Sequence, residues 1–110
     1  MSIVTVTDEQ AVKANDFIRD NAGEIAKAKA ERVYLEEYRK TQKALLINSF
    51  PGGTILEKES YAYAHKDYIV VLDGLRSAVE KEEELRWKMI AAQAKIEMWR
   101  TFQANARREL

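Results

Sequence analysis

The segment Asn48-Ser49-Phe50-Pro51-Gly52-Gly53 decides the fold, because it is the one strong break in a chain of 110 residues. Proline lacks a backbone donor and paired glycines accept left-handed conformations, so the segment predicts a turn at residues 49–53. Thr54 follows as a helix N-cap, and Glu57 stands three residues later in a capping-box pattern. A second helix is therefore predicted to begin at about residue 55.

The amino-terminal side predicts a first helix from about residue 8 to residue 48. Thr7 and Gln10 have the spacing of a capping box at its start. Asn21-Ala22-Gly23 resembles a helix stop, so the sequence leaves open whether this helix is continuous or is kinked or split at Gly23. Residues 1–7 are rich in β-branched side chains but have no strand-like segment to pair with, which predicts an extended arm.

The second arm carries a heptad pattern, in which core residues alternate at spacings of three and four. The series is Tyr61, Ala64, Tyr68, Val71, Leu75, Ala78, Glu82, Leu85, Met89, Ala92, Ile96, Trp99, Gln103 and Ala106. It predicts one helix from about residue 55 to residue 108, packed along its length. The predicted fold class is therefore all-α, a long antiparallel helical hairpin of coiled-coil type in one domain, residues 8–110. We call the series the inner seam; Val71, Leu75, Leu85, Met89 and Ile96 are its candidate hairpin or oligomer contacts.

The carboxy-terminal end of the second helix is the candidate contact surface. If both helices are straight, Asp8 lies near Lys95, and everything beyond about Met98 overhangs the first helix without cover. The stretch from Arg86 to Arg108 contains six basic residues and one acid, a local charge of 6 − 1 = +5. The candidate nucleic-acid or partner-binding residues are Arg86, Lys88, Lys95, Trp99, Arg100, Phe102, Arg107 and Arg108. Cations beside aromatic rings can follow a phosphate backbone while the rings stack on bases, but they can equally meet an acidic helix or pair with acids of the first helix.

Composition and motifs argue against an enzyme. The chain has no cysteine, which excludes disulfides and thiolate zinc sites, and its 18 basic and 18 acidic residues give no overall charge. His65 is the only histidine, and the side chains of the acidic run at residues 80–84 point in different directions around a helix. No motif indicates a cofactor or a small-molecule substrate. No apolar run approaches the ~18 residues that span a bilayer, so a cytoplasmic protein without membrane contact is predicted.

Several aromatic and basic segments carry a resemblance to a known group of proteins. They are Ala28 to Lys40, Tyr63 to Tyr68, Trp87, Ala91 to Ala94, and Glu97-Met98-Trp99-Arg100. Together they resemble small helical proteins of tailed bacteriophages that are encoded beside single-strand annealing or recombination genes. The resemblance implies an accessory role in phage recombination or replication, in the host cytoplasm, with Trp99-Arg100 touching DNA or a recombinase.

Two function classes therefore stand side by side. In the first, a homo-oligomeric accessory protein binds single-stranded DNA or a recombination protein through its carboxy-terminal end. In the second, a structural or adaptor protein, or an inhibitor of a host protein, acts only through helix–helix interfaces. Self-association is expected in both classes, because a two-helix core is thin and leaves apolar surface to bury between copies.

Overall fold

The computed structural model describes residues 5–109, and the regular structure in that range is helical throughout. Helix α1 spans Asp8–Ser49, α2 spans Ile55–Ala64 and α3 spans Lys66–Glu109. The predicted all-α class is confirmed. Of the predicted arm, residues 1–4 lie outside the described residues, and residues 5–7 precede α1 in a non-helical conformation.

Helix α1 begins at the predicted capping box and runs without interruption. The Thr7 hydroxyl accepts a hydrogen bond from the Gln10 amide at 3.1 Å, and the Gln10 side-chain oxygen accepts one from the Thr7 amide at 3.0 Å. The helix continues through Gly23, so the question of a split is answered in favour of one helix. Asn21 does not stop it, because its side-chain amide donates to the Phe17 carbonyl four residues earlier, at 2.9 Å.

The turn occupies residues 50–54, and both glycines adopt the left-handed conformation that the sequence predicts. Their φ angles are +79° at Gly52 and +83° at Gly53. Gly53 also has a steric role, because a Cβ atom there would lie 2.8 Å from a ring carbon of Phe50. Thr54 then caps α2, its hydroxyl accepting from the Glu57 amide at 3.2 Å.

The second arm was predicted as one helix, but the structure interrupts it at His65. This residue has an extended conformation (φ −70°, ψ 139°), and its Nδ1 accepts a hydrogen bond from the Asp67 amide at 3.0 Å. His65 therefore acts as the N-cap of α3. The break changes the phase of the heptad: Ala62 is fully buried in α2, whereas Tyr61 and Ala64, which the inner seam includes, are exposed.

The chain divides into two compact units, each an antiparallel pairing of α1 with the second arm. Unit 2 is Lys27–Glu82, with a core of Leu46, Ala62 and Tyr68. Unit 1 combines the described parts of Met1–Ala26 and Glu83–Leu110. Its buried residues are Ala11, Ala14 and Ala92. The antiparallel hairpin pairing is thus confirmed within each unit.

Candidate interaction surfaces

The candidate seam residues face inward along α3. Val71 is buried, and Leu75, Leu85, Met89 and Ile96 are half-buried. Their spacing of three and four residues keeps them on one side of the helix. That side is used for packing inside the hairpin, so these five residues are not themselves an open binding surface.

The inner seam contains one ion pair, between Arg32 of α1 and Glu82 of α3, both in unit 2. The Arg32 Nε and Nη2 atoms donate to the two carboxylate oxygens of Glu82, and Nη1 donates to Glu36 at 2.9 Å. The Glu82 side chain is only 13% exposed. Hydrogen bonding to Glu82, and then to Glu36, raises the pKa of Arg32. The pair fixes which residues can face each other, because a shifted register would leave the largely buried Glu82 carboxylate without its partner.

The predicted overhang is shorter than expected, and the predicted Asp8–Lys95 pairing is wrong. Asp8 Oδ1 accepts hydrogen bonds from Trp99 Nε1 at 2.7 Å and from Gln103 Nε2 at 3.3 Å. Trp99 and Phe102 are consequently half-buried, while Arg100, Arg107 and Arg108 are exposed. Counting residues outward from the turn fails because the second arm is not one straight helix.

Three of the candidate cations have acidic partners on their own helix. Arg86 pairs with Glu83 at 2.8 Å, Lys88 with Glu84 at 3.0 Å and Arg100 with Glu97 at 2.9 Å. Glu83 and Glu84 lie just before the stretch in which the charge of +5 is counted. Over all of unit 1, eight basic and nine acidic side chains give 8 − 9 = −1. Ion pairs within α3 therefore neutralise half of the six cations of the carboxy-terminal stretch.

A second apolar stripe lies along α3 in unit 1, outside the inner seam. It consists of Trp87, Ala91, Ala94 and Met98, at spacings of four, three and four residues. All four are exposed, Trp87 by 59% and Met98 by 44%. We call these residues the outer stripe. Sequence analysis missed it, although the spacing is visible once the inner seam has been assigned.

Trp87 is the most structured member of the outer stripe. Its indole Nε1 donates to Glu83 Oε2 at 3.1 Å, and the Arg86 guanidinium lies 4.8 Å from its ring centroid. These contacts hold the ring in place before any partner arrives. A tryptophan ordered in this way loses little conformational entropy on binding, which is typical of an interface anchor.

Unit 1 also contains a groove between α1 and α3 with a cationic rim. Its volume is about 350 Å³, and it is lined by Gln10, Lys13, Ala14, Phe17, Lys88, Ala91, Ala92 and Lys95. Lys13 pairs with Glu9 at 3.2 Å and Lys88 with Glu84, so two of the three lysines are partly neutralised. Candidate residues Lys88 and Lys95 are brought together here.

A pocket of about 260 Å³ in unit 2 combines basic and aromatic side chains. It is lined by Arg39, Lys40 and Lys43 of α1, Tyr63 of α2 and Tyr68 of α3. The sequence alone did not connect the tyrosines of the second arm with these cations. The available signal was the spacing of Arg39 and Lys43, four residues apart and hence on one face of α1.

Comparisons with protein-family models, with curated protein sequences and with solved structures give no match. The resemblance to phage recombination proteins therefore rests on the quoted segments alone. Within residues 5–109, no group of three or more acidic or histidine side chains could hold a metal ion. None of the helices in this range is long and apolar enough to cross a bilayer.

Proposed function

We propose that this chain is a non-enzymatic adaptor or structural protein that assembles with copies of itself through helix–helix contacts. The observation that carries the proposal is that the buried apolar residues are mostly small, while many large apolar side chains are exposed. Six of the nine buried apolar residues that the structure describes are alanines, while 15 large apolar side chains are exposed. Burying an alanine removes little apolar area from water, so much of the apolar surface of the large side chains stays in contact with solvent.

The accessible surface supports the same proposal. The chain exposes 8311 Å². A folded monomer of this mass exposes about 6200 Å². The excess of roughly 2000 Å² per chain is more than twice the ~800 Å² that each partner buries in a stable interface of standard size.

The outer stripe is the surface proposed for self-association. Its two central residues are alanines, which allow two helices to approach closely, and Trp87 and Met98 flank them. Lys88 and Lys95 border the stripe on one side, and Glu83, Ile90 and Glu97 border it on the other. Antiparallel pairing of two stripes would set Lys88 against the second copy's Lys95. Parallel pairing instead brings Lys88 beside the second copy's Glu83, so parallel pairing is proposed.

Analytical ultracentrifugation over a range of concentrations tests the assembly. The double variant Ala91→Glu/Ala94→Glu is expected to shift the protein to monomer, because it places four carboxylates in the paired stripe. Ala22→Glu/Ala26→Glu is the matched control, since it adds the same charges at exposed positions of α1 in unit 1. A monomer at every concentration in the unmodified protein would contradict the proposal, as would equal effects of the two variants.

Cysteine crosslinking tests the direction of pairing. The natural chain has no cysteine, so Ala94→Cys introduces a single thiol. Parallel pairing places residue 94 opposite its own copy and predicts an intermolecular disulfide under mild oxidation. Crosslinking only in a mixture of Ala91→Cys and Ala94→Cys chains would indicate antiparallel pairing instead.

The competing proposal is an accessory protein of phage DNA recombination that binds single-stranded DNA or a recombinase. The observation in its favour is the groove in unit 1 with Lys13, Lys88 and Lys95 along its rim. Fluorescence anisotropy with a labelled single-stranded oligonucleotide at low and moderate salt tests binding to DNA. The variant Lys88→Ala/Lys95→Ala tests the groove, and Arg100→Ala/Arg107→Ala/Arg108→Ala tests the carboxy-terminal end. Binding to phosphates weakens steeply with salt, whereas an apolar interface does not. Absence of binding at low salt would exclude binding of single-stranded DNA and leave a protein partner as the remaining form of this proposal.

A further inference from the structure

We infer that the pocket of Arg39, Lys40, Lys43, Tyr63 and Tyr68 in unit 2 is a binding site for a phosphate group. The pocket is distinct from the outer stripe, and the inference does not depend on self-association. Its chemistry is that of anion recognition: three cationic side chains and two phenols converge on one concave surface.

Arg39 is the residue on which the inference mainly depends. Its side chain is half-buried, and it makes no hydrogen bond or ion pair within the described part of the chain. The neighbouring α1 arginine, Arg32, is fully engaged with Glu82 and Glu36. A guanidinium presents five donors in a planar fork that matches phosphate oxygens, so an Arg39 that lines a pocket without a partner points to an anionic ligand.

Lys43 and Tyr63 form the pre-ordered wall of the pocket. Lys43 Nζ donates to the Tyr63 hydroxyl at 2.6 Å and lies 4.4 Å from the centroid of the same ring. This hydrogen bond raises the pKa of Lys43, and the negative charge of Glu59 adds to the effect. Tyr63 in turn packs edge-on against the buried Tyr68, with ring centroids 5.4 Å apart. The ammonium group is therefore held at the pocket by two elements of the hairpin.

The acidic groups near the pocket leave room for an anion. Glu37 pairs with Lys40 at 3.3 Å in an exposed position, and Glu59 acts on Lys43 through its charge. Both carboxylates lie outside the lining. Solvent screens exposed pairs such as Glu37–Lys40, so Lys40 can exchange its partner for a phosphate oxygen at small cost.

The phosphate could belong to a free polyphosphate or to a nucleic-acid backbone, and a titration separates the two sources. NMR spectra of the ¹⁵N-labelled protein are recorded with inorganic pyrophosphate, and separately with a short single-stranded oligonucleotide. Sodium chloride at matched ionic strength is the blank. Saturable shifts confined to residues near Arg39, Lys43 and Tyr63 are expected with pyrophosphate. Competition between the two ligands would identify a nucleic-acid phosphate as a possible occupant, and binding of pyrophosphate alone would identify a free polyphosphate.

The variant Arg39→Gln is expected to weaken pyrophosphate binding about tenfold or more, because it removes a charge-assisted contact. Arg76→Gln is the matched control, since Arg76 also lies in unit 2 but is 80% exposed and pairs with Asp73. Circular dichroism verifies that both variants keep their helices. No saturable shift in the unmodified protein, or equal loss of binding in Arg39→Gln and Arg76→Gln, would overturn the inference.

Discussion

Removing the Asp8 carboxylate is expected to loosen the pairing of the two helices in unit 1. Asp8 Oδ1 accepts two hydrogen bonds from α3, from Trp99 at 2.7 Å and from Gln103 at 3.3 Å. Both lie in exposed positions, so each contributes about 0.5–1 kcal/mol. The carboxylate also stands in the first turn of α1, where a negative charge adds about 0.3–1 kcal/mol. Asp8→Ala should therefore lower the free energy of unfolding by about 1.3–3 kcal/mol.

The control for this prediction is Glu9→Ala. Glu9 also lies in the first turn, but among the described residues its side chain pairs with Lys13 of the same helix in an exposed position, so its loss leaves α3 untouched. Urea unfolding is followed by Trp99 emission in a Trp87→Phe background, which leaves one fluorophore at the contact. Asp8→Ala should cost about 1–2 kcal/mol more than Glu9→Ala, which is the contribution of the two hydrogen bonds to α3. Asp8→Asn, which keeps an acceptor oxygen, should fall between them. Equal losses for Asp8→Ala and Glu9→Ala would refute the reasoning.

Further substitutions address the turn, the core and the inner seam, each measured by urea unfolding. Gly52→Ala and Gly53→Ala should each cost about 1–2 kcal/mol, because both positions have a left-handed backbone conformation. Gly53→Ala should cost more than Gly52→Ala, because its Cβ meets the ring of Phe50. Equal costs would contradict the steric role of Gly53. Ala62→Leu should cost about 1–3 kcal/mol, because residue 62 is fully buried; an unchanged midpoint would show that the site can expand. Glu82→Met should destabilise unit 2, and the double variant Glu82→Met/Arg32→Met should restore stability. Additive losses in the double variant would show that the two charges do not act as a pair.

The features predicted from the sequence are those that local chemistry determines. The capping threonines, the glycines of the turn and the inner seam from Tyr68 to Trp99 follow from residue type and spacing, and the structure has them where the sequence places them. The ion pairs within α3 could also have been predicted, because Glu83–Arg86 and Glu84–Lys88 have the spacing of neighbours on a helix surface. Counting charges in a window without these spacings overstated the cationic character of the carboxy-terminal end.

The features that were not predicted depend on contacts between distant residues. His65 is an unusual helix N-cap, and no proline or glycine marks the break between α2 and α3. Once the second arm is interrupted, the facing residue can no longer be counted from the turn, and Asp8 meets Trp99 instead of Lys95. The basic and aromatic pocket likewise forms only when Tyr63 is brought against Lys43, 20 residues away.

The two proposed surfaces rely on different physical interactions, and this difference makes their tests independent. Self-association through the outer stripe depends on removing apolar surface from water, so it should persist at high salt. A phosphate in the pocket of unit 2 is held by Arg39 and Lys43, so its affinity should fall as salt rises. Loss of assembly in Ala91→Glu/Ala94→Glu with pyrophosphate binding retained would assign assembly and ligand recognition to separate parts of one hairpin. Loss of both would mean that the phosphate site requires the assembled protein, and a concentration-dependent affinity for pyrophosphate would then be expected.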